Sequence, residues 1–405
     1  MAWKELQVTV PSYFRCPISL DLMRDPVSVC TGMTYDRSNI EKWLDEGHNT
    51  CPATMQVLQN QDLIPNHTLR RLIQAWGVAN KSMGVERIPT PRQPLDRHQV
   101  QLLLKDAVRN DLLRTDALRK LREKAKESMR NRNCMVEAGA IPVLTSILSS
   151  SSMEARDMEV CEEALGTLSI LPLDDSAKRT IAGSKQLSCL SWVLNKGSLD
   201  ARINAAILLE NLTSTYDLNR AVGGTAGVID ALVELLREDL NHMAVKAALR
   251  ALCAIATSRR HCRQVVEAGA VGTLVEMLPS ADKSAAELVL VILETLCKCA
   301  EGRAAVAEHA LAIPAIAKKM CRGTDAAAEA AIGILWAICS FCADEETVQE
   351  RAVEAGLFAK LLLLLQMDFS ATAKHKMADI LRLLRNVCKN HPNKNNLDDA
   401  RSVAM

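Results

Sequence analysis

The chain has 405 residues, 48% of them hydrophobic and 24% charged, with aromatics at 3% and a formal net charge of +1 at pH 7. That length allows two to three domains, or one small domain and a repeat array. So balanced a charge speaks against a general nucleic-acid binder, and no apolar run of about eighteen residues offers an integral membrane segment. The opening MAWKELQVTVPSYFR lacks the apolar stretch and cleavage site of a secretory leader. The expected compartment is the cytoplasm, with the nucleus also open. The 14 cysteines are expected to be reduced thiols, with Cys253, Cys297, Cys299, Cys339 and Cys342 packed as small hydrophobes in helices.

Before residue 80 the predicted elements are short. Val27-Ser28-Val29 and Met33-Thr34-Tyr35 flank Thr31-Gly32, where glycine tolerates the positive φ of a tight turn, so a hairpin is expected. Asp36 then precedes a helical run with Ile40, Trp43 and Leu44 on one face. Its carboxylate is expected to accept the free amides of the first turn, and Gly47 to end the helix. Asn66 is expected to cap a second helix with Leu69, Leu72, Ile73 and Trp76 as its apolar face. The metal-ligand candidates here are Cys16, Cys30, His48 and Cys51. They contain no CxxC pair and cannot fill two four-ligand sites, so no metal and no cofactor are expected.

Pro11, Phe14, Cys16-Pro17-Ile18, Asp25-Pro26-Val27, Gly32, Thr34-Tyr35-Asp36-Arg37, Trp43, Cys51-Pro52 and Ile64-Pro65-Asn66 form an ordered set between residues 10 and 76. In this set the chain resembles a U-box, the zinc-less relative of the RING finger that recruits a ubiquitin-conjugating enzyme carrying activated ubiquitin. The resemblance implies that hydrogen bonds and ion pairs brace two loops, with Asp21, Asp25, Arg24, Asp36 and Arg37 as candidates. It also implies a conjugating-enzyme platform of Ile18 and Leu20 in the first loop, Trp43 on the central helix, and Pro52 and Ala53 in the second loop. Apolar anchors ringed by polar residues suit a transient interface. For Trp43 and Leu20, the core of so small a domain is the competing place.

Several ligases of this superfamily carry a basic second-loop residue that clamps ubiquitin against the conjugating enzyme. The matching position here is Met55, which has no donor to offer, with Gln56 as the neighbour able to substitute. The resemblance asks for no catalytic nucleophile on this chain, because the thioester belongs to the conjugating enzyme.

From residue 77 a Gly- and Pro-rich stretch is expected to end the second helix and to hold off the next until about His98. Residues 81–97 read as a semi-extended linker, with PTPRQP as a docking peptide the alternative. The phrase ERIPTP resembles the junction in plant U-box ligases with armadillo repeats.

Beyond it the chain repeats itself. Segments 134–148, 223–236, 265–278 and 352–365 are versions of one pattern, and 184–194 and 308–320 are degenerate copies. With Gly139, Lys185, Gly227, Gly269, Leu311 and Gly356 taken as equivalent, the intervals are 46, 42, 42, 42 and 45 residues. A further helix is expected in each unit, for example at 203–212, 245–255, 288–296 and 330–338. This period belongs to armadillo and HEAT arrays, and the Ala-Gly turn before an apolar helix resembles armadillo repeats in particular.

The expected architecture is therefore mostly α: a small α+β U-box at 8–80, the linker, an all-α solenoid of about six armadillo repeats at 98–390 closed by a helix at 377–389, and a tail at 391–405. Such an array presents an elongated groove for a protein substrate. Armadillo grooves often use an Asn on the third helix to bond a partner's backbone. Asn211 and Asn386 match that place, while the stretches around Leu252, Leu296 and Ala337 have none, which weighs against an importin-like ladder. Residues 97–132 hold eleven Lys/Arg against five Asp/Glu. They read as a solvated face with Arg119 paired to Glu123, an acidic partner or phospholipid headgroup being the alternative.

The whole resemblance implies a ubiquitin ligase of the plant U-box–armadillo group, a group associated with stress and immune signalling. A non-catalytic armadillo scaffold or transport adaptor is the second reading and a zinc-dependent RING ligase the third. A homodimer through the U-box is left open.

Overall fold

The computed structural model describes residues 10–45, 47–60, 62–81, 95–109, 113–214, 216–238 and 242–390. The chain divides into two compact units, Met1–Pro94 and Leu95–Met405. Residues 82–94, most of the expected linker, and the expected tail at 391–405 lie outside the described residues.

In the first unit the hairpin forms where its turn signal predicts. Strand β1 (Pro26–Ser28) pairs antiparallel with β2 (Thr34–Asp36), Val27 opposite Tyr35, and Gly32 turns the chain at φ 80°. A two-residue strand, β3 (Ile64–Pro65), adds to the free edge of β1 and gives the order β2-β1-β3. Helix α1 (Arg37–Asp45) follows β2 directly, and Gly47 at φ 88° donates its amide to the Leu44 carbonyl just past the last turn. Asn66 caps α2 (His67–Ala79), its Oδ1 accepting the Leu69 amide at 3.0 Å. This helix runs through Gly77, further than its composition suggested. Phe14, Met23, Val27, Tyr35, Ile40 and Ile73 are buried at the centre, with Leu69 and Trp76 packed at the edge, while Leu72 is exposed rather than part of the apolar face.

The second unit starts at Leu95, inside the stretch read as linker: Leu95 is buried and its amide donates to Asn131 Oδ1 at 3.1 Å. Helices α3 (Arg97–Arg109) and α4 (Arg114–Glu127) lead the array. Six three-helix units follow: α5 (Met129–Glu137), α6 (Ala140–Ser150) and α7 (Met158–Leu168); α8 (Asp175–Ile181), α9 (Ser184–Lys196) and α10 (Leu199–Leu212); α11 (Tyr216–Gly223), α12 (Val228–Arg237) and α13 (His242–Ala256). Then come α14 (Arg259–Glu267), α15 (Ala270–Met277) and α16 (Lys283–Leu296); α17 (Ala300–Glu308), α18 (Ala312–Met320) and α19 (Asp325–Phe341); and α20 (Glu345–Glu354), α21 (Leu357–Leu364) and α22 (Ala371–Asn390).

The third helices α4, α7, α10, α13, α16, α19 and α22 stack in succession. Their sequences explain this: paired alanines such as Ala205 and Ala206, Ala247 and Ala248, and Ala330 and Ala331 are buried and let the helix axes approach, while leucines such as Leu209, Leu249 and Leu293 fill the space between. Each fully buried leucine contributes roughly 2 kcal/mol. No unit could bury such faces alone, so each is stable only against its neighbours.

Gly139, Gly227, Gly269 and Gly356 precede the second helices at φ between 69° and 83°, a conformation in which a side chain would be strained. In the second unit the corresponding cap is Gly183, with extended backbone, two residues ahead of Lys185. The apolar register had matched Lys185, but the helix starts earlier. Arg119 pairs with Asp116 at 3.0 Å and with Glu159 of α7 at 2.7 Å, not with Glu123. Among the described residues no helix is long and apolar enough to cross a membrane.

Candidate functional site

The site is built from one loop used twice. In the first copy the Cys16 amide donates to the Asp21 carbonyl and the Leu20 amide to the Cys16 carbonyl, both at 2.8 Å. In the second, the Cys51 amide donates to the Gln56 carbonyl at 2.8 Å and the Met55 amide to the Cys51 carbonyl at 2.7 Å. Leu20 and Met55 occupy the left-handed region in the two copies, at φ 61° and 57°. Pro17 and Pro52 follow the cysteines, where no amide donor is required. The pairing of CPISLD with CPATMQ is visible in the sequence but was missed there.

Both cysteine sulfurs are buried acceptors. Cys16 Sγ takes the Asp36 amide at 3.3 Å and Asn39 Nδ2 at 3.4 Å; Cys51 Sγ takes the Thr31 hydroxyl at 3.3 Å and lies 2.9 Å from Tyr35 Oη. The Tyr35 hydroxyl accepts the Ala53 amide at 3.0 Å and so directs its own proton to Cys51. Tyr35 and Asp36, adjacent in β2, thus tie the second and first loops respectively. Burial alone would raise both thiols, but the donors outweigh it: Cys16 falls below the usual thiol range and Cys51 is lowered to about 6. Burial and the Cys51 sulfur push the Tyr35 phenol up.

Asp25 supplies the ionic brace. Its Oδ2 lies 2.7 Å from Arg37 Nε and its Oδ1 2.5 Å from Arg70 Nη2, all three side chains largely buried. Arg70 was not among the candidates from sequence; it sits 45 residues away and carries no local signal. Asp36 does not spend its carboxylate on the first turn's amides. Its Oδ1 accepts the Arg24 and Asp25 amides at 2.7 and 2.8 Å, and its Oδ2 the Ser38 hydroxyl at 2.8 Å. The Asp21 and Arg24 residues are exposed, and neither makes an ion pair among the described contacts. Cys16, Cys30, His48 and Cys51 do not converge, and among the described residues no group of three His, Cys, Asp or Glu is placed to hold a metal.

Of the residues expected to form the platform, Ile18 is 37% exposed and Leu20 66%, Ala53 is exposed and Pro52 half-buried. Met55 is 68% exposed, and Gln56 lies beside it in solvent. Trp43 is half-buried: its Nε1 donates to the Thr50 carbonyl at 2.8 Å and its indole stacks on His48 with centroids 3.9 Å apart. It locks the second loop to α1 and packs on the core edge as well as lining the surface.

On the array, Asn211 is half-buried near the end of α10 and Asn386 exposed near the end of α22, so three third helices separate them. Their register on the intervening helices is held by Ala251, Thr295 and Ala337. One position earlier lies a strip that sequence reasoning passed over: Glu210, Arg250, Glu294 and Trp336. Glu210 pairs with Arg250 at 2.8 Å, and Lys376 reaches both Glu294 at 3.5 Å and the Trp336 ring at 5.6 Å from its centroid.

Residues 10–82 match the U-box domain, and residues 99–400 match the plant U-box protein ARM repeat region. The chain belongs to the plant U-box proteins with an armadillo-repeat region. It is 39% identical to U-box domain-containing protein 25 of Arabidopsis thaliana, over 98% of this chain and 96% of that one. It is 34% identical to the E3 ubiquitin-protein ligase PUB23 of the same plant, over 95% of each. A crystal structure of an engineered protein, 19% identical, superposes with a TM-score of 0.53 over 84% of this chain and 83% of its own, a likeness of fold alone. The two matched loops lie within the U-box region, and the helical array is the family's armadillo-repeat region.

Proposed function

We infer that this U-box protein is a ubiquitin-protein ligase whose paired loops dock a ubiquitin-charged conjugating enzyme, while the armadillo array holds the substrate. The observation that carries the reading is the exposure of Ile18, Leu20 and Met55 on two loops of identical build, braced from beneath by buried sulfurs and by Asp25. Apolar side chains held out on rigid loops are small anchors for a transient partner. A scaffold or transport adaptor would leave them without a use.

The ligase contributes orientation rather than a nucleophile. The conjugating enzyme's thioester is held where a substrate lysine attacks it directly, and near-attack positioning of this kind is worth several kcal/mol of barrier, about 7 at the lower end of the measured range. Substrate sits along the third helices, where Glu210, Arg250, Glu294 and Trp336 offer alternating charge and one aromatic face to an extended polypeptide, and Asn211 offers an amide for its backbone. The protein acts in the cytoplasm in this reading. Autoubiquitination with activating enzyme, ATP, ubiquitin and a panel of conjugating enzymes tests it without a known substrate. Ubiquitin ladders with at least one conjugating enzyme are expected, and none with any would refute the ligase reading.

A further inference from the structure

Among the described residues, the cysteines of the array include two close pairs with different surroundings. Cys161 and Cys189 lie 3.5 Å apart, sulfur to sulfur, and both are wholly buried. Cys262 of α14 and Cys299, which caps α17, are also 3.5 Å apart, but they line an open cleft of about 1030 Å³ between consecutive repeats. Both sulfurs converge on the end of α16: the Leu296 carbonyl accepts Cys299 Sγ at 3.2 Å and Cys262 Sγ at 3.9 Å. Cys299 also takes the Gly302 amide at 3.4 Å, and it is the more accessible of the two. Around them the cleft carries Arg259, Arg260, Arg263 and Lys298 against Glu267 and Glu301, a surplus of positive charge in a chain that is otherwise balanced.

We propose that Cys262 and Cys299 are an oxidisable dithiol, which a small anionic disulfide converts into a covalent link between adjacent armadillo repeats. A disulfide needs the sulfurs at about 2.05 Å, a closure of roughly 1.5 Å from their present separation. Cys299 is the sulfur a solvent-borne disulfide reaches, and burial pushes the more enclosed Cys262 thiol up, so Cys299 is the attacking group and Cys262 the resolving one.

Cys299 gives up its proton to water and its thiolate attacks one sulfur of the small disulfide; the S–S bond breaks, and one thiolate leaves and takes up a proton. Cys262 then gives up its proton to water and attacks the Cys299 sulfur of the mixed disulfide, expelling the second thiolate. Two protein thiols are oxidised and one disulfide is reduced to two thiols. The cationic cleft draws the anionic oxidant in, and the buried Cys161–Cys189 pair has no such access.

The test uses the full-length chain and glutathione disulfide. After incubation and thiol blocking, peptides are mapped by mass spectrometry without reduction. The expected result is a Cys262–Cys299 linked peptide in the wild type and no Cys161–Cys189 link. Cys262→Ser should stop at glutathione on Cys299, and Cys299→Ser should leave Cys262 unmodified. The exposed thiols Cys30 and Cys321 report that the oxidant is active. Glutathione on those two with no Cys262–Cys299 link would overturn the proposal. So would a Cys161–Cys189 link formed at the same rate, since the cleft would then give the Cys262–Cys299 pair no advantage.

Discussion

Leu20 and Met55 hold the same left-handed backbone position at the crests of two copies of one loop, at φ 61° and 57°. Neither is glycine, and a side chain costs about 1 kcal/mol there. Both are more than half exposed, so nothing in the core compensates. The strain holds an apolar side chain out at each crest, where a partner can take it up. Leu20→Gly and Met55→Gly should therefore each stabilise the U-box by about 1 kcal/mol while weakening conjugating-enzyme binding. Thermal melts and a binding titration on the same variants check this, and a variant that loses stability would show that the side chain packs after all.

Ile18 and Trp43 should separate binding from folding. Ile18→Ala removes a partly exposed anchor: melting should shift by less than about 0.5 kcal/mol, while affinity for the conjugating enzyme falls more than about tenfold. Trp43→Ala also removes the bond to the Thr50 carbonyl and the stack on His48, so it should cost about 2 kcal/mol of stability besides lowering affinity. Equal melting of the two variants would contradict the bracing role given to Trp43.

Asp25 is held by Arg37 and Arg70 together, and it joins β1 to the starts of both helices. Asp25→Asn keeps the shape but leaves two partly buried guanidinium groups short of their counter-charge. The expected loss is about 3 kcal/mol, read from denaturation of the 1–94 unit. A loss below that of an exposed ion pair, about 0.5 kcal/mol, would remove Asp25 from the brace.

Cys51 makes the U-box sensitive to pH. Its thiol lies at about 6 in the folded chain against an ordinary value of 9.0. A depressed acid stabilises the fold fully above its unfolded value and loses that contribution as pH falls through its folded one. The melting temperature of the 1–94 unit should therefore decline from pH 9 to pH 6. Cys16, lowered in the same direction, adds to the slope. Cys51→Ser should flatten most of it, and an unchanged slope in that variant would exclude the Cys51 thiolate as its source.

What could be read from sequence follows the range of the interactions involved. The hairpin, the Asn66 cap and the Gly47 stop are encoded within a few residues, and each stands where its signal lies. The stacked third helices were legible too, because the Ala and Leu pattern repeats. Arg70 could not be found, since its partner Asp25 is distant in the chain and only folding joins them. Asp36 was misread because a capping residue beside two free amides of another loop prefers whichever the fold brings closer. Lys185 stood in for Gly183 because apolar spacing fixes a helix face and not its first residue. The Glu210, Arg250, Glu294 and Trp336 strip becomes apparent only once neighbouring helices set a common register.

Single-turnover discharge of ubiquitin from a preloaded conjugating enzyme onto free lysine tests the central claim most directly. The full-length chain should accelerate discharge, Ile18→Ala should abolish the acceleration, and no ubiquitin thioester should form on any of the 14 cysteines. Discharge at the uncatalysed rate with every conjugating enzyme tried, or a ubiquitin thioester on this chain, would contradict the account.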